Sequence, residues 1–179
     1  MAFIQRKVEQ VEPVTAKTLS DAFYRCYWKS YDIILPNTFL IPWQCESDLL
    51  CIRKSLLVDE IETKISRADF LADFSKTVQF PDEGWQKVNK HEAAAAGKCF
   101  FNRHWFLVPD DLADRIEVPE HSGLMIFQGG WVKEVKPAPM LHKRKATPDM
   151  IFRASAAVSR KLWDLKKKTR DAQEEAKHE

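Results

Sequence analysis

The sequence predicts an α/β fold, in which a mixed central sheet of about four or five strands is flanked by helices. Apolar residues make up 45% of the 179 residues, which is typical of a globular chain with a core of its own. Short β-prone runs alternate with runs that have helical spacing, and this alternation favours helices packed on a mixed sheet. The residues from 147 onward also have helical spacing, so we expect a C-terminal helix.

Composition restricts the class of protein further. The formal net charge is only +2, so the overall charge does not by itself indicate a nucleic-acid binder. The four cysteines have no C-x-x-C spacing, and we expect reduced thiols rather than disulfides or zinc ligands. The N-terminus lacks the apolar segment of a signal peptide, and no window approaches the length of a membrane span. We therefore expect a cytoplasmic protein with no membrane partner.

The first third of the chain predicts one helix followed by strands. Apolar residues at helical spacing define the helix, and Ser20 and Asp21 leave a later start open. A proline interrupts the run TFLIPW, which therefore fits an edge strand. The run SDLLCIR predicts a buried strand and LLVDEIETKI the next strand, and the two predict a hairpin with its turn in KSLL. The expected ranges are 15–31 for the helix, 38–43 for the edge strand, and 47–53 and 56–65 for the hairpin.

The remainder of the chain predicts further helices and strands around a linker. Ser66 is the expected N-cap of a helix that runs through RADFLADFSKTV, with Asp69 at the capping-box position. Residues 79–97 have no clear pattern and predict a polar linker. The runs CFFNRHWFLVP and EVPEHSGLMIFQ predict strands separated by a short helix in DDLADRI, and GGWVKEVKPAP predicts a hairpin partner or an edge strand. The last helix is expected to dock through Ile151, Val158, Leu162 and Leu165.

The run VDEIETKI carries the charges that point to chemistry. Alternate residues of a strand share a face, so Glu60, Glu62 and Lys64 project together. In the predicted hairpin, Asp48 lies on the neighbouring strand, within reach of an ion that Glu62 also binds. Two carboxylates and a backbone carbonyl suit Mg²⁺, and a nearby lysine can hold the attacking water or meet charge on a phosphate. This pattern fits metal-dependent phosphodiester hydrolysis.

The same residues also fit a solvated strand face, where alternating Glu and Lys form weak cross-strand pairs. Two observations favour the functional interpretation. The other face of the strand, with Ile61, Thr63 and Ile65, is largely apolar, as is the flanking run SDLLCI, which predicts a central position. The strand also leads directly into a capped helix that begins with Ser66 and Arg67, and functional groups of α/β sheets collect near such strand ends.

The motifs SDLLCI and VDEIETKISRADFLADF resemble those of the PD-(D/E)XK nuclease superfamily, which has the restriction-endonuclease-like fold. Within it the chain is similar to the MmcB-like group of DNA-repair proteins and related phage proteins. That group carries an aromatic strand similar to HWFLVP and a turn similar to VPEHSGLMIF, so the resemblance spans 46–127. Ser47 stands where the superfamily has the proline of its first motif. The resemblance implies three catalytic residues: Asp48, Glu62 and Lys64.

The resemblance implies a metal-dependent nuclease that hydrolyses DNA, in repair or in phage DNA processing. A non-catalytic DNA-binding or repair-accessory module on the same fold is the alternative, and a purely structural phage or bacterial protein is a third. Residues 1–145 would form the nuclease-like domain and 146–179 a helical extension. Further partners would be a second copy, bound through the C-terminal helix, or other repair or phage proteins. The expected ligands of Mg²⁺ or Mn²⁺ are Asp48, Glu62, the Thr63 backbone carbonyl and, unless it is only a surface charge, Glu46.

Basic residues outside the strand are candidate contacts to DNA phosphates. Two of them fall in the predicted linker, where a solvated segment is the competing interpretation. Three more form the run KRK before the last helix, whose own basic residues extend the positive charge. The predicted DNA-binding residues are Lys87, Lys90, Lys143, Arg144 and Lys145.

Overall fold

The structure is a computed structural model that describes residues 13–41 and 44–176. Within these residues the chain forms eight strands and five α-helices. The strands are β1 (Ile33–Thr38), β2 (Ser47–Ile52), β3 (Val58–Thr63), β4 (Thr77–Gln79), β5 (Lys87–Asn89), β6 (Arg103–Pro109), β7 (Ser122–Gln128) and β8 (Trp131–Lys136). The helices are α1 (Ala16–Tyr27), α2 (Arg67–Asp73), α3 (Lys90–Ala95), α4 (Asp110–Ala113) and α5 (Pro148–Glu175).

Six of the strands form one mixed sheet in the order β1-β2-β3-β6-β7-β8. The predicted α/β class with a mixed sheet and a C-terminal helix is therefore confirmed, although the sheet has six strands rather than four or five. It is larger because both weakly patterned end strands, β1 and β8, pair with their neighbours. The predicted hairpin of β2 and β3 is also confirmed, and it aligns Leu50 with Glu60. On its other side β3 lies parallel to β6, so β3 is a central strand.

The start of α1 is set by Thr15, whose side chain accepts a hydrogen bond from the N–H of Thr18. This cap excludes the later start at Ser20. The helix ends at Tyr27, four residues before the predicted end.

The edge strand lies earlier in the chain than the sequence predicted. β1 occupies Ile33–Thr38 rather than 38–43, and Pro42 and Trp43 of the predicted strand lie outside the described residues. The reason is pairing, because the residues from Ile33 to Thr38 align with β2 from Ile52 to Ser47.

The segment 79–97 is structured, so its prediction as a linker is wrong. β4 and β5 pair with each other, and Asn89 then caps α3 by accepting hydrogen bonds from two backbone N–H groups. These elements have only three to six residues, too few for a hydrophobic period to be visible in the sequence. Core contacts of Ala93 and Ala94 hold α3 in place.

Hydrophobic layers cover both faces of the sheet. On one face α1 packs through Phe23 against a layer that includes Ile61. On the other face α3 and the start of α5 pack against a layer that includes Leu50 and Val58. Because both faces are covered, all six residues of β3 are buried, the charged ones included. Buried charges need partners, and these partners form the site described below.

The C-terminal helix packs on the core only through its first turns. Met150, Ala154 and Ala157 are buried, so the extension predicted from residue 146 begins as part of the core. Val158, Leu162 and Leu165 are 44%, 49% and 62% exposed, so their predicted docking is wrong. Of the helices in the described parts of the chain, none is long and apolar enough to cross a membrane.

Candidate active site

The site lies where β3 ends and the chain turns into α2. Glu60 and Glu62 are buried on β3, and Lys64 follows directly after the strand with only 4% of its surface exposed. Ser66 then caps α2 by accepting a hydrogen bond from the Asp69 N–H, as the sequence predicted. A sharp change from strand to capped helix therefore fixes the direction in which these charges project.

Asp48 lies beside the end of β3 because Thr63 holds its carboxylate. Asp48 Oδ2 accepts hydrogen bonds from the Thr63 backbone N–H at 2.8 Å and from the Thr63 hydroxyl at 3.0 Å. Burial raises the pKa of Asp48, and the negative charge of Glu62 raises it further. The predicted neighbours Asp48 and Glu62 are thus brought together. The role of the Thr63 carbonyl as a metal ligand stays a prediction.

Glu62 binds three ammonium groups. Its Oε2 lies 3.0 Å from Lys64 Nζ and 2.7 Å from Lys76 Nζ, and its Oε1 lies 2.6 Å from Lys90 Nζ. Burial raises the pKa of Glu62, but the three lysines outweigh this effect, led by Lys90, and the net pKa lies below its usual value. Glu62 is therefore an ionised carboxylate, and it organises the surrounding cations.

Asp73, at the end of α2, is a second buried carboxylate of the site that sequence reasoning missed. Its Oδ1 lies 2.8 Å from Lys64 Nζ and 2.6 Å from Lys76 Nζ, and its Oδ2 lies 3.0 Å from His91 Nε2. Asp73 follows the buried Phe70 by three residues and so belongs to the buried side of α2. A carboxylate on the apolar side of the predicted helix was the signal in the sequence that could have identified Asp73 as a site residue.

Lys90 belongs to the site and not to a DNA-binding surface. Its side chain is 1% exposed, and its Nζ lies 2.9 Å from Glu60 Oε2 as well as 2.6 Å from Glu62 Oε1. Burial lowers the pKa of Lys90, but the charges of Glu60 and Glu62 raise it well above its usual value. Its prediction as a phosphate contact is therefore wrong, because a DNA strand on the protein surface cannot reach a buried ammonium group.

Three histidines extend the network away from β3. His91 Nδ1 lies 3.0 Å from His121 Nε2, and His91 was predicted in a solvated linker but is 6% exposed. His104 is fully buried on β6, with its Nδ1 2.8 Å from Ser122 Oγ. Burial, and then the charge of Lys90, hold the pKa of His104 well below its usual range, so its imidazole is neutral.

A groove of about 690 Å³ opens above this network. It is lined by residues of α1, by residues of the end of β1, and by Asp48, Thr63, Lys64, Asp69 and Lys76. The carboxylate of Glu62 lies beneath this groove, bound to the two lysines that line it. All three predicted catalytic residues, Asp48, Glu62 and Lys64, are therefore at the groove or directly under it.

The predicted basic cluster of 143–145 lies at the opposite end of β3. Asn102 accepts a hydrogen bond from the N–H of Val58, the first residue of β3, and donates to the carbonyls of His142 and Arg144. Val58 is five strand residues from Thr63, which lines the groove, and this corresponds to roughly 17 Å. The basic cluster is thus not close to the candidate catalytic residues.

Arg144 is also committed to structural contacts. Its guanidinium donates hydrogen bonds to the carbonyls of Gly97 and Cys99, at 2.7 Å and 3.0 Å, and so holds the turn after α3. One guanidinium nitrogen is thus used in structural contacts, but Arg144 is exposed, so its role as a DNA contact stays a prediction. The other predicted surface residues, Lys87, Lys143, Lys145 and Glu46, are exposed, and their roles stay predictions.

Comparison with known proteins identifies a shared fold and no shared function. No protein-family model and no curated protein matches the chain. Among solved structures, the chain is similar to the SPO1766 protein of unknown function from Silicibacter pomeroyi, with 19% sequence identity and a TM-score of 0.61. The match covers 88% of this chain and 93% of that chain. At this identity the likeness concerns the fold alone, and it agrees with the six-stranded mixed sheet and its helices.

Proposed function

We propose that the protein is a metal-dependent nuclease with a restriction-endonuclease-like core, which hydrolyses DNA phosphodiester bonds in repair or phage DNA processing. One observation carries the proposal. Asp48 and Lys64, which belong to two separate sequence motifs, line the same groove, and Glu62 lies beneath it. Paired carboxylates next to a positioned ammonium are what hydrolysis of a phosphodiester requires.

The donor atoms at the groove suit Mg²⁺ or Mn²⁺. Thr63 engages only Oδ2 of Asp48, so Oδ1 accepts no hydrogen bond from the residues that the structure describes. Asp48, Glu62 and the Thr63 carbonyl would hold the ion through oxygen atoms, which hard divalent cations prefer. The ion would supply a water of lowered pKa and would polarise the phosphate.

The lysines at the groove have distinct tasks in this proposal. Lys64 is held between Glu62 and Asp73, so its ammonium is oriented before any substrate binds. Burial lowers the pKa of Lys64, but the two carboxylates raise it more, so this group acts as a fixed positive charge rather than as a base. A fixed charge of this kind stabilises the negative charge that develops on the phosphate. Lys76 has a side chain that is 31% exposed, so it can bind a phosphate in the ground state.

Other basic residues surround the groove and replace the KRK cluster as candidate DNA contacts. Lys17 of α1 lines the groove, although it also pairs with Asp21 at 2.8 Å. Lys161 of α5 donates a hydrogen bond to the carbonyl of Asn37, which also lines the groove. The exposed basic part of α5 therefore borders the groove, where it can neutralise phosphates of a bound strand.

One observation favours the alternative of a non-catalytic DNA-binding or repair-accessory module. Both oxygens of Glu62 already bind ammonium groups, so an ion must compete with Lys64 and Lys76 for Oε2. If the lysines stay bound to Glu62, the groove keeps its ammonium groups and its fold but carries no metal. Such a protein would bind DNA without cutting it.

A nicking and cutting assay beside a binding titration decides between the two functions. The substrates are single-stranded, duplex and branched DNA, each with Mg²⁺ or Mn²⁺, and Asp48→Asn is the matched inactive control. We expect the wild type to cut at least one substrate and Asp48→Asn to bind it without cutting. Binding without cutting by the wild type would favour the accessory module. A wild type that neither binds nor cuts any of these DNA substrates would contradict both functions.

A further inference from the structure

The two oxygens of Glu62 face different cations. Oε2 binds the two lysines at the groove, whereas Oε1 binds Lys90 at a separate inner position. The ammonium of Lys90 lies 2.6 Å from this oxygen and 2.9 Å from Glu60 Oε2. A single positive charge is therefore enclosed between two buried carboxylates.

His104 completes the surroundings of this inner position. Its Nε2 is fully buried, has no hydrogen-bond partner among the described residues, and lies 3.7 Å from Glu60 Oε2. One ligand atom each from Glu60, Glu62 and His104 lie within 4.8 Å of one another, a spacing that one metal ion can bridge. An unpartnered imidazole nitrogen next to two carboxylates is thus an incomplete set of metal ligands.

Two serines orient these ligands from outside, as the supporting residues of a metal site do. Ser122 Oγ lies 2.8 Å from His104 Nδ1, which leaves Nε2 as the nitrogen directed towards Glu60. Ser47 donates a hydrogen bond of 2.7 Å to Glu60 Oε1, so Oε2 is the oxygen that Lys90 binds. Both ligands are therefore already oriented towards the inner position.

The donor set selects a class of ion. An imidazole with two carboxylates suits Mn²⁺, Co²⁺ or Zn²⁺, whereas Mg²⁺ prefers oxygen ligands alone. The ammonium of Lys90 occupies the same carboxylate oxygens that such an ion would take. Lys90 and a metal ion at this position therefore exclude each other.

We propose that Glu60, Glu62 and His104 form a latent site for a transition-metal divalent cation, and that Lys90 closes this site as a tethered cation. The wild-type protein then binds an ion only at the outer position of Asp48 and Glu62. The inference rests on the proposed function for the outer ion only, because the inner position is argued from its own contacts.

Replacing Lys90 by an uncharged side chain of similar length tests the inference. Co²⁺ binding is measured by calorimetry and by visible absorption for the wild type, Lys90→Met, and the double variant Lys90→Met/His104→Gln. We expect Lys90→Met to bind one more Co²⁺ per chain than the wild type, and the double variant to lose this additional ion. Excess Mg²⁺ should displace Co²⁺ from the outer position but not from the inner one.

Lys76→Met is the matched control, because it also removes an ammonium from Glu62 but leaves the inner position closed by Lys90. It should not gain the additional ion. Lys90→Met leaves Glu60 Oε2 and Glu62 Oε1 without the ammonium that binds them, so its melting temperature should be below that of the wild type without metal and should rise when Co²⁺ is added.

Three outcomes would overturn the inference. Lys90→Met could stay unfolded in Co²⁺, or it could fold and bind no more Co²⁺ than the wild type does. The wild type could also bind Co²⁺ at both positions. A wild type that binds no ion while Lys90→Met binds one would support the latent site and would instead remove the metal from the proposed function.

Discussion

Lys76 Nζ lies 2.7 Å from Glu62 Oε2, although the two residues are 14 positions apart in the chain. The same ammonium lies 2.6 Å from Asp73 Oδ1, so it ties the end of α2 to β3. Lys64 binds the same two carboxylates, at 3.0 Å and 2.8 Å. Two lysines therefore share two carboxylates under the groove, and they differ in exposure, with side chains 31% exposed for Lys76 and 5% for Lys64.

The buried lysine is expected to act on the reaction rather than on binding. Lys64→Ala should lower the cleavage rate by about 10²–10³, because a positioned charge acts on the transition state, while DNA affinity stays nearly constant. Single-turnover cleavage and a binding titration measure the two effects separately. Lys54→Ala, which changes an exposed lysine in the turn at the other end of β3, is the control and should cut normally. An equal loss of affinity and rate in Lys64→Ala would contradict this role.

Metal binding at the groove should need both carboxylates. Asp48→Asn and Glu62→Gln should each weaken Mn²⁺ binding, because one carboxylate alone leaves the ion mostly to water. Calorimetry measures the affinity, and circular dichroism checks that each variant is folded. Asp69→Asn is a suitable control, since Asp69 lines the same groove but is not an expected ligand. Unchanged Mn²⁺ binding in the first two variants would place the ion elsewhere.

The position of the KRK cluster changes the expected DNA footprint. Lys161→Ala and Lys17→Ala should weaken DNA binding and flatten its dependence on salt, because each removes a charge next to the groove. Lys143→Ala and Lys145→Ala should have a smaller effect, since these residues lie at the other end of β3. Affinity measured over a range of salt concentrations gives the slope for each variant. A larger change for Lys143→Ala than for Lys161→Ala would restore the original assignment.

Stability should fall in mild acid. Burial lowers the pKa of His121 to about 4, and electrostatic interactions with His91 and Lys136 contribute to this shift. An unfolded histidine titrates near 6.5, so between about pH 6.5 and 4 the unfolded state binds a proton that the folded state does not. The free energy of unfolding should therefore decrease as the pH falls through this window.

Urea unfolding at several pH values from 7 to 5 measures this effect. His121→Gln should show a shallower decrease than the wild type, and Lys54→Ala should keep the wild-type slope. A variant slope equal to that of the wild type would show that His121 protonates with its ordinary pKa.

The exposed half of α5 carries an apolar stripe that a second copy could cover. Val158, Leu162 and Leu165 recur at steps of four and three residues, as in a coiled-coil seam, and all three are exposed. We expect a concentration-dependent dimer that Leu162→Ser/Leu165→Ser converts to a monomer, as light scattering would measure. Higher salt should favour the dimer, because the basic residues of the helix repel each other.

Phe152→Ser is the control for this prediction, since Phe152 is 72% exposed on the same helix but lies off the stripe. It should leave the dimer intact. A wild type that stays monomeric at high concentration and high salt would exclude self-association through α5.

Features that depend on neighbouring residues in the chain were determined by the sequence alone. The hairpin of β2 and β3 follows from two short β-prone runs, and the start of α2 follows from Ser66, whose side chain accepts a hydrogen bond from a backbone N–H three residues on. The α/β class follows from the order of such elements. Local hydrogen bonds and side-chain alternation are sufficient for these predictions, because both repeat over a few residues.

Only the tertiary structure decided which charges share a site. Lys90 reaches Glu62 over 28 positions, and Asp73 meets His91 over 18, so no short-range pattern relates them. Long-range packing also places the KRK cluster at the far end of β3. It leaves the apolar residues in the second half of α5 exposed. A lysine that looks solvated in the sequence becomes the cation of a buried carboxylate once long-range packing removes it from water.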